Sequence, residues 1–476
     1  MKKIMLVDPP GFMGNAVGRI LGSFGSNKAD QAWPPYDLQV FAGYSVINGL
    51  DYTILDANNL KLSDSQIEAE IRKYDPDWVI YMTCFPNFVI DAKVALTAKK
   101  VNRSIKTACI SLSMLSVLDP AEKLGKLTDL DYIIWGEPEL PLMQLINGVK
   151  PSEVKGLYFR GENGSIEFTG IAPKVANLDA LGVPQHSKLN TSLYKCPLSI
   201  KKPMTIVNCS RGCINACVHC QAGNFQSPVR YRSIDNVLEE LHQIKALGIK
   251  EIKFYDCSLP TDREFTKNLC NAMIENSFNF SWNCNARAEM LDDDIIITMK
   301  KAGCHTIAIG CESANADLLK NMGKNETPED IERGVKLVKK HGLRVLMYLT
   351  FGLEGETKET MRETYDFAIR MYPDFVTFGI VVPAPGTAFY KKLSKNGQLI
   401  NKNLEWLDPN ALPSFKYPEL DPKELHAFTR SAYRRYYFNP GYILRKITRL
   451  RSANELLGNI RNASTMMMRY FFERSK

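Results

Sequence analysis

The chain has no apolar run approaching the ~20 residues that would span a bilayer, although 45% of its 476 residues are apolar, an ordinary share for a globular protein. The opening stretch Ile4-Met5-Leu6-Val7 stops at Asp8. That is too short for the core of a secretory signal, so it reads as a buried strand and predicts a cytoplasmic protein. Histidine is scarce, with six in the chain and none before His186, so nothing N-terminal of that point supplies an imidazole ligand. There is no low-complexity tract and no recognisable nucleic-acid-binding module. Positive charge is also not spread along the chain: of a net +8, the segment Arg430–Lys476 holds eleven Lys/Arg against two Asp/Glu, leaving the remainder near neutrality. Nucleic acid is therefore excluded as a partner, and the basic tail is a local feature.

Without an export signal, twelve cysteines argue against a disulfide framework. Four of them, Cys209, Cys213, Cys217 and Cys220, fall close together in sequence. Thiols clustered so tightly in a reducing compartment point to a metal.

A chain of this length implies two or three domains. Residues 1–150 alternate short apolar runs (Ile4–Val7, Tyr52–Leu55, Trp78–Met82, Thr107–Leu112, Tyr132–Trp135) with helix-period segments near 37–49, 63–74, 89–100, 120–126 and 140–147. This predicts an α/β domain, a doubly wound, flavodoxin-like parallel sheet whose ligand edge holds Pro9-Pro10-Gly11, Thr83–Asn87, Ser111–Ser113 and Gly136-Glu137-Pro138-Glu139. Residues 151–200 read as a linker with one hairpin turning at Glu162-Asn163-Gly164. Residues 201–395 repeat the alternation, with strands at Met204–Asn208, Glu251–Tyr255, Ser281–Asn285, Thr306–Gly310, Arg344–Leu349 and Phe375–Ile380 and a helix after the N-cap Ser233 through Leu247. They predict a partial (β/α)6 barrel with chemistry at its strand ends. Residues 396–476 form a basic helical extension.

The segment Cys213-Ile-Asn-Ala-Cys217-Val-His-Cys220 spaces its thiols C-x3-C-x2-C. Three thiolates on one short loop hold three irons of a [4Fe–4S] cubane and leave the fourth open to a chelating ligand. The spacing is not that of ferredoxins, and no second CxxC or His pair follows to complete a structural zinc site, the blander alternative. Cys209, at the end of the preceding strand, reads as a buried thiol.

At this point the sequence resembles the radical S-adenosylmethionine (SAM) enzymes. Thr205 through Cys220 is similar to their opening strand and cluster loop. Further on, Phe254-Tyr255-Asp256, Trp282 through Arg287, Gly310-Cys311-Glu312-Ser313, Gly352-Leu353-Glu354-Gly355-Glu356-Thr357 and Pro383-Ala384-Pro385-Gly386-Thr387 follow the family's order. The resemblance implies that the open iron binds SAM and that one-electron reduction yields a 5′-deoxyadenosyl radical. It also implies that Asp256 accepts from the SAM ammonium, Arg287 offsets its carboxylate and Glu312 bonds the ribose. His219 takes the position beside the adenine, where packing is the alternative. An external electron donor of flavodoxin or ferredoxin type follows. A non-catalytic iron–sulfur electron carrier is the rival from another class.

The N-terminal sheet resembles the cobalamin-binding domain that precedes the barrel in one radical SAM class, with Gly136-Glu137-Pro138-Glu139 similar to its G-E-x-E ending. The resemblance implies cofactor contacts at Pro10, Thr83, Ser111 and Glu137, and cobalamin bound His-off. Against this stands Ile110-Ser111-Leu112-Ser113-Met114, which has side chains where the class usually carries Gly-Gly. Two outcomes stay open: methyl transfer through cobalamin to an unactivated carbon, or cobalamin-free cyclisation, rearrangement or dehydration. Tyr433–Tyr442 and Met466–Phe472 interleave cations with aromatic and apolar groups. They either contact the inner membrane face peripherally or pack on the barrel. The tail is similar to that of anaerobic magnesium-protoporphyrin ester cyclases and hopanoid-tailoring enzymes, which implies a small, hydrophobic, lipid-like substrate.

Overall fold

The computed structural model describes residues 1–11, 16–20, 23–26, 31–84, 87–111, 119–400 and 412–448. In chain order the strands of the first half are β1 (Lys3–Asp8), β2 (Val17–Ile20), β3 (Ser23–Ser26), β4 (Asp51–Asp56), β5 (Trp78–Met82), β6 (Lys106–Ile110), β7 (Tyr132–Ile134), β8 (Leu157–Arg160) and β9 (Ile166–Phe168). Seven of them form one sheet in the order β4-β1-β5-β6-β7-β8-β9, and β2 pairs only with β3. The first five of that order run parallel and the last two antiparallel. The strand order reverses between β1 and β5, the place where such sheets open a crevice at their carboxyl ends. β5 is buried along its whole length, as a strand covered on both faces must be. The helix Asp64–Tyr74 starts at a capping box of Ser63 and Gln66 and buries only Ile67 and Ile71, one turn apart on a single face.

The second half holds β10 (Met204–Val207), β11 (Ser210–Arg211), β12 (Arg230–Tyr231), β13 (Glu251–Phe254), β14 (Ser281–Ala286), β15 (Cys304–Glu312), β16 (Arg344–Phe351) and β17 (Phe375–Ile380). Six of these make a second parallel sheet, in sequence order from β10 to β17, while β11 and β12 form a separate two-residue ladder. The crossover helices begin by one device. Ser233, Asp262, Asp292, Thr327 and Thr357 each accept a backbone N–H from three residues on. Met204, Ile206, Ala308 and Leu346 of the second sheet share one buried cluster with Ile4, Leu6 and Ile80 of the first and with Phe41 of the helix Tyr36–Ile47. The two sheets therefore meet through a common core.

The strands expected from the sequence recur within two residues at either end wherever their residues are described. Three features differ. The hairpin β8–β9, read as part of a linker, extends the first sheet by pairing with β7. The pairs β2–β3 and β11–β12 were not anticipated, because strands of two to four residues carry no periodicity. The aromatic stretch of the tail turns inward: in the helices Pro422–Tyr437 and Pro440–Thr448, Tyr433, Tyr436 and Tyr442 are buried. The Tyr436 hydroxyl donates to the Pro373 carbonyl (2.7 Å) and the Tyr442 hydroxyl to that of Asp374 (2.9 Å). Packing against the second sheet, not membrane contact, explains these rings. Met466–Phe472 lies outside the described residues. No described helix is long and apolar enough to cross a membrane.

Candidate functional site

The carboxyl ends of the second sheet's strands enclose a cavity of about 580 Å³, within the range of small-molecule sites. Cys213, Cys217 and Cys220 all line it, together with His219, Asp256, Arg287 and Glu312. These residues come from the loop after β11 and from the ends of β13, β14 and β15, which the parallel order brings together.

The loop carrying the three cysteines is closed at its neck by the ladder Ser210↔Tyr231 and Arg211↔Arg230. Within it the Ser227 hydroxyl donates to the Cys213 carbonyl (2.6 Å). Gly223 has no side chain because a Cβ there would run into the Asn215 carbonyl oxygen. A hydrogen bond from the Cys257 thiol lowers Cys213 to about 6, whereas burial pushes Cys217 up to about 11 and raises Cys220. Three soft thiols opening on one cavity fit an iron–sulfur cluster. A cubane is held at three separate irons, so its ligands need not converge on a single point, and among the described residues no three His, Cys, Asp or Glu side chains do so.

Each expected SAM contact lines the cavity, but with partners of its own. Asp256 is buried and accepts from the backbone of Cys209 (3.1 Å) and Ser210 (2.7 Å) and from the Ser210 hydroxyl (2.6 Å). It ties the end of β13 to the neck of the cysteine loop. Burial raises its carboxyl, and these bonds work against that rise. Arg287 pairs with Glu289 and lies 3.3 Å from Glu326. Glu312 accepts from the Thr350 hydroxyl (2.7 Å) and sits in the left-handed region at φ 62°, a strained conformation for a non-glycine residue, where the β15–β16 register slips. Burial lowers His219, which favours the neutral imidazole, and among the described residues its Nδ1 has no hydrogen-bond partner.

The sequence reading missed several residues of the wall. Lys324 is buried, donates to the Gly310 carbonyl (2.6 Å) and pairs with Glu326 (2.9 Å). Burial alone would lower its ammonium, but Glu312 and Glu326 outweigh that and raise it. From the first half of the chain come Tyr36 and Asp37, at the start of the helix Tyr36–Ile47. The Tyr36 hydroxyl accepts from the backbone of Asn208 (3.0 Å). Tyr255 and Tyr348 complete an aromatic side of the cavity toward the domain junction. Only the Pro34-Pro35 break before Tyr36 hinted at a special position there.

The expected cobalamin contacts stand along the first sheet's carboxyl edge. At the switch point Arg19, from β2, bonds Asp8 (2.9 Å) and Asp91 (2.7 and 3.0 Å) and the carbonyls of Pro9 (2.9 Å) and Pro10 (3.1 Å), all but inaccessible to solvent. The Thr83 hydroxyl donates to Asp91 (2.9 Å). Ser111 directly follows β6, while Leu112–Met114 lie outside the described residues. Glu137, expected to face a cofactor, is turned to Arg230 (2.5 and 3.0 Å) instead. His186 is buried with both ring nitrogens engaged, by Gln39 (2.8 Å) and Glu240 (2.8 Å). No histidine precedes His186, so a corrin at this edge would receive no imidazole from the first sheet.

A family model of the radical SAM superfamily matches residues 207–368. An uncharacterized methyltransferase of Pyrococcus horikoshii is 28% identical over 452 residues, 94% of each chain. An anaerobic magnesium-protoporphyrin IX monomethyl ester cyclase of Rubrivivax gelatinosus is 25% identical, covering 86% of this chain and 75% of its own. In fold, the chain resembles the radical SAM methyltransferase TsrM of Kitasatospora setae, solved with cobalamin and a [4Fe–4S] cluster (TM-score 0.70, 15% identity, 91% of this chain and 88% of that one). It also resembles the cobalamin-dependent radical enzyme OxsB with aqua-cobalamin and SAM (TM-score 0.72, 14% identity, 99% and 72%). Residues 207–368 are thus a radical SAM domain, and the chain that carries it is an enzyme.

Proposed function

We propose that this enzyme holds a [4Fe–4S] cluster at Cys213, Cys217 and Cys220, cleaves SAM in the 580 Å³ cavity, and modifies an unactivated carbon of a small molecule, most simply by methyl transfer. The observation that carries the reading is the meeting of three cysteines with an acid, a base and a second acid from three successive strand ends. When bound, the cluster would supply the electron that splits the sulfonium. The protein's own part is to bind and orient. Glu312, held by Thr350, presents a carboxylate to the ribose hydroxyls, and Arg287 offers positive charge to the SAM carboxylate. Asp256 fixes the loop neck, so the ammonium would meet its remaining acceptor capacity and the nearby carbonyls. The neutral His219 ring would pack beside the adenine. The six strands of the second sheet would act as a partial (β/α)6 barrel, closed toward the first domain by Tyr36, Tyr255 and Tyr348, which exclude water from the reacting carbon.

Methyl transfer is supported by the methyltransferase relative spanning nearly the whole chain and by the fold shared with TsrM. Pro10, Thr83 and Ser111 would then hold cobalamin along the first sheet's edge, where it would carry the methyl group. A second reading, cyclisation or dehydration without a corrin, is favoured by the bonds that already fill the switch point around Arg19 and by the likeness to the ester cyclases. Anaerobically reconstituted protein given dithionite and SAM is expected to form 5′-deoxyadenosine or a methylated product. Titration with hydroxocobalamin separates the readings. A corrin spectrum that stays with the protein through gel filtration supports methyl transfer, and its absence selects the second.

A further inference from the structure

Two glutamates of the first domain grip the neck of the cysteine loop in the second. Arg211 immediately precedes Gly212-Cys213, and Arg230 faces it across the ladder. Arg211 reaches both carboxylate oxygens of Glu139 (2.5 and 3.2 Å) and lies 3.7 Å from Glu137, which Arg230 holds at 2.5 and 3.0 Å. All four side chains are at most 10% exposed. The backbone N–H of Val175 also donates to Glu137 (2.8 Å), and its carbonyl accepts from Arg230 (2.6 Å), so the linker is drawn into the same knot. Burial by itself would raise Glu137, yet the bonds and charge of the two arginines hold it below the usual carboxylate range. On the other side of the neck, Asp256 takes the backbone of Cys209 and Ser210.

We infer that Glu137 and Glu139 are positioning residues for the cysteine loop, and that the first domain sets the orientation of the three thiols relative to the cavity. Paired forks between planar guanidinium and carboxylate groups fix direction as well as distance. The neck they hold is only two residues wide, so a rotation there moves Cys213 bodily. Domain contact and the chemistry of the cavity are thereby coupled through four side chains.

The inference rests on the cluster assignment above, and the test separates the two. Wild type, Glu139→Gln and Glu137→Gln are reconstituted with iron and sulfide, then compared by iron content, thermal melting, the EPR spectrum of the reduced cluster with and without SAM, and the rate of 5′-deoxyadenosine formation. Both variants are expected to retain wild-type iron, to show a weakened SAM-induced change in the EPR spectrum, and to cleave SAM about 10- to 100-fold more slowly, as a misplacement near 1 Å would produce. Arg230→Lys, which keeps the charge and loses the fork, carries the same expectation if Glu139→Gln does not fold. Spectra and rates equal to wild type overturn the inference, as does iron lost in step with melting temperature, which would make the quartet a folding element only. If wild type itself takes up no iron, the cluster assignment falls instead.

Discussion

Arg19 is a cation placed where water cannot reach it, and it is tolerated because every direction it offers is answered: two carboxylates, two carbonyls, and Asn58 bonding Asp8 from behind (3.0 Å). Removing it leaves Asp8 and Asp91 buried without their counter-ion. Arg19→Ala is therefore expected to lower stability by about 3–5 kcal/mol, measured by urea denaturation followed by tryptophan fluorescence. The same logic applies at Glu312, whose left-handed backbone is held against its own preference in the cavity wall. Glu312→Gln keeps the shape and removes the charge. It is expected to weaken SAM binding about tenfold, the loss of roughly one charge-assisted hydrogen bond, with little change in iron content, as read by isothermal titration of the reconstituted protein. Equal affinity in the variant would remove Glu312 from the SAM site.

Elements show where sequence reading succeeds and where it stops. The parallel strands of both sheets were legible because each is an apolar run of strand length followed by a helix-length segment, with side-chain caps marking helix starts in the second sheet, as at Ser233 and Thr357. The three thiols stood out by their spacing, and the structure brings all three to one cavity. Lys324, Tyr36 and Asp37 were not, because what matters about them is which strand end or helix start they happen to face across the cavity. Glu137 was assigned to the right turn and the wrong partner: the sequence shows its strand end but not the arginine ladder of the other domain.

The turn Gly352–Thr357 illustrates a further element-level property. Glu356 is buried, accepts from the Gly352 backbone (3.1 Å) and from Thr360, and burial raises it from the ordinary 4.5 to about 7. The folded state thus binds a proton that the unfolded state has released. Stability from this group is whole below pH 4.5 and declines as pH rises toward 7. At about 1.4 kcal/mol per unit, up to ~3 kcal/mol is involved. Glu356→Gln is expected to flatten this part of the stability–pH curve between pH 5 and about 7.5, as measured by chemical denaturation across that range. An unchanged slope would show that Glu356 titrates normally.

At the scale of the whole molecule, the first sheet with its helices also walls the cavity at the second sheet's strand ends. Met204, Ile206, Ala308 and Leu346 are covered by its core, Tyr36 and Asp37 enter the cavity from its first helix, and Glu137 with Glu139 holds the cysteine loop. Deleting residues 1–150 is expected to expose that apolar face and give aggregated protein, seen by size-exclusion chromatography, where an independently folded second sheet would elute as a monomer.

The most direct test is chemical analysis of protein purified and reconstituted without oxygen, paired with its reaction with dithionite and SAM. The account predicts about four irons and four sulfides per chain, 5′-deoxyadenosine or a methylated product on reduction, and loss of both cluster and product in Cys217→Ala. Zinc in place of iron, or a Cys217→Ala protein that cleaves SAM as the wild type does, would contradict it.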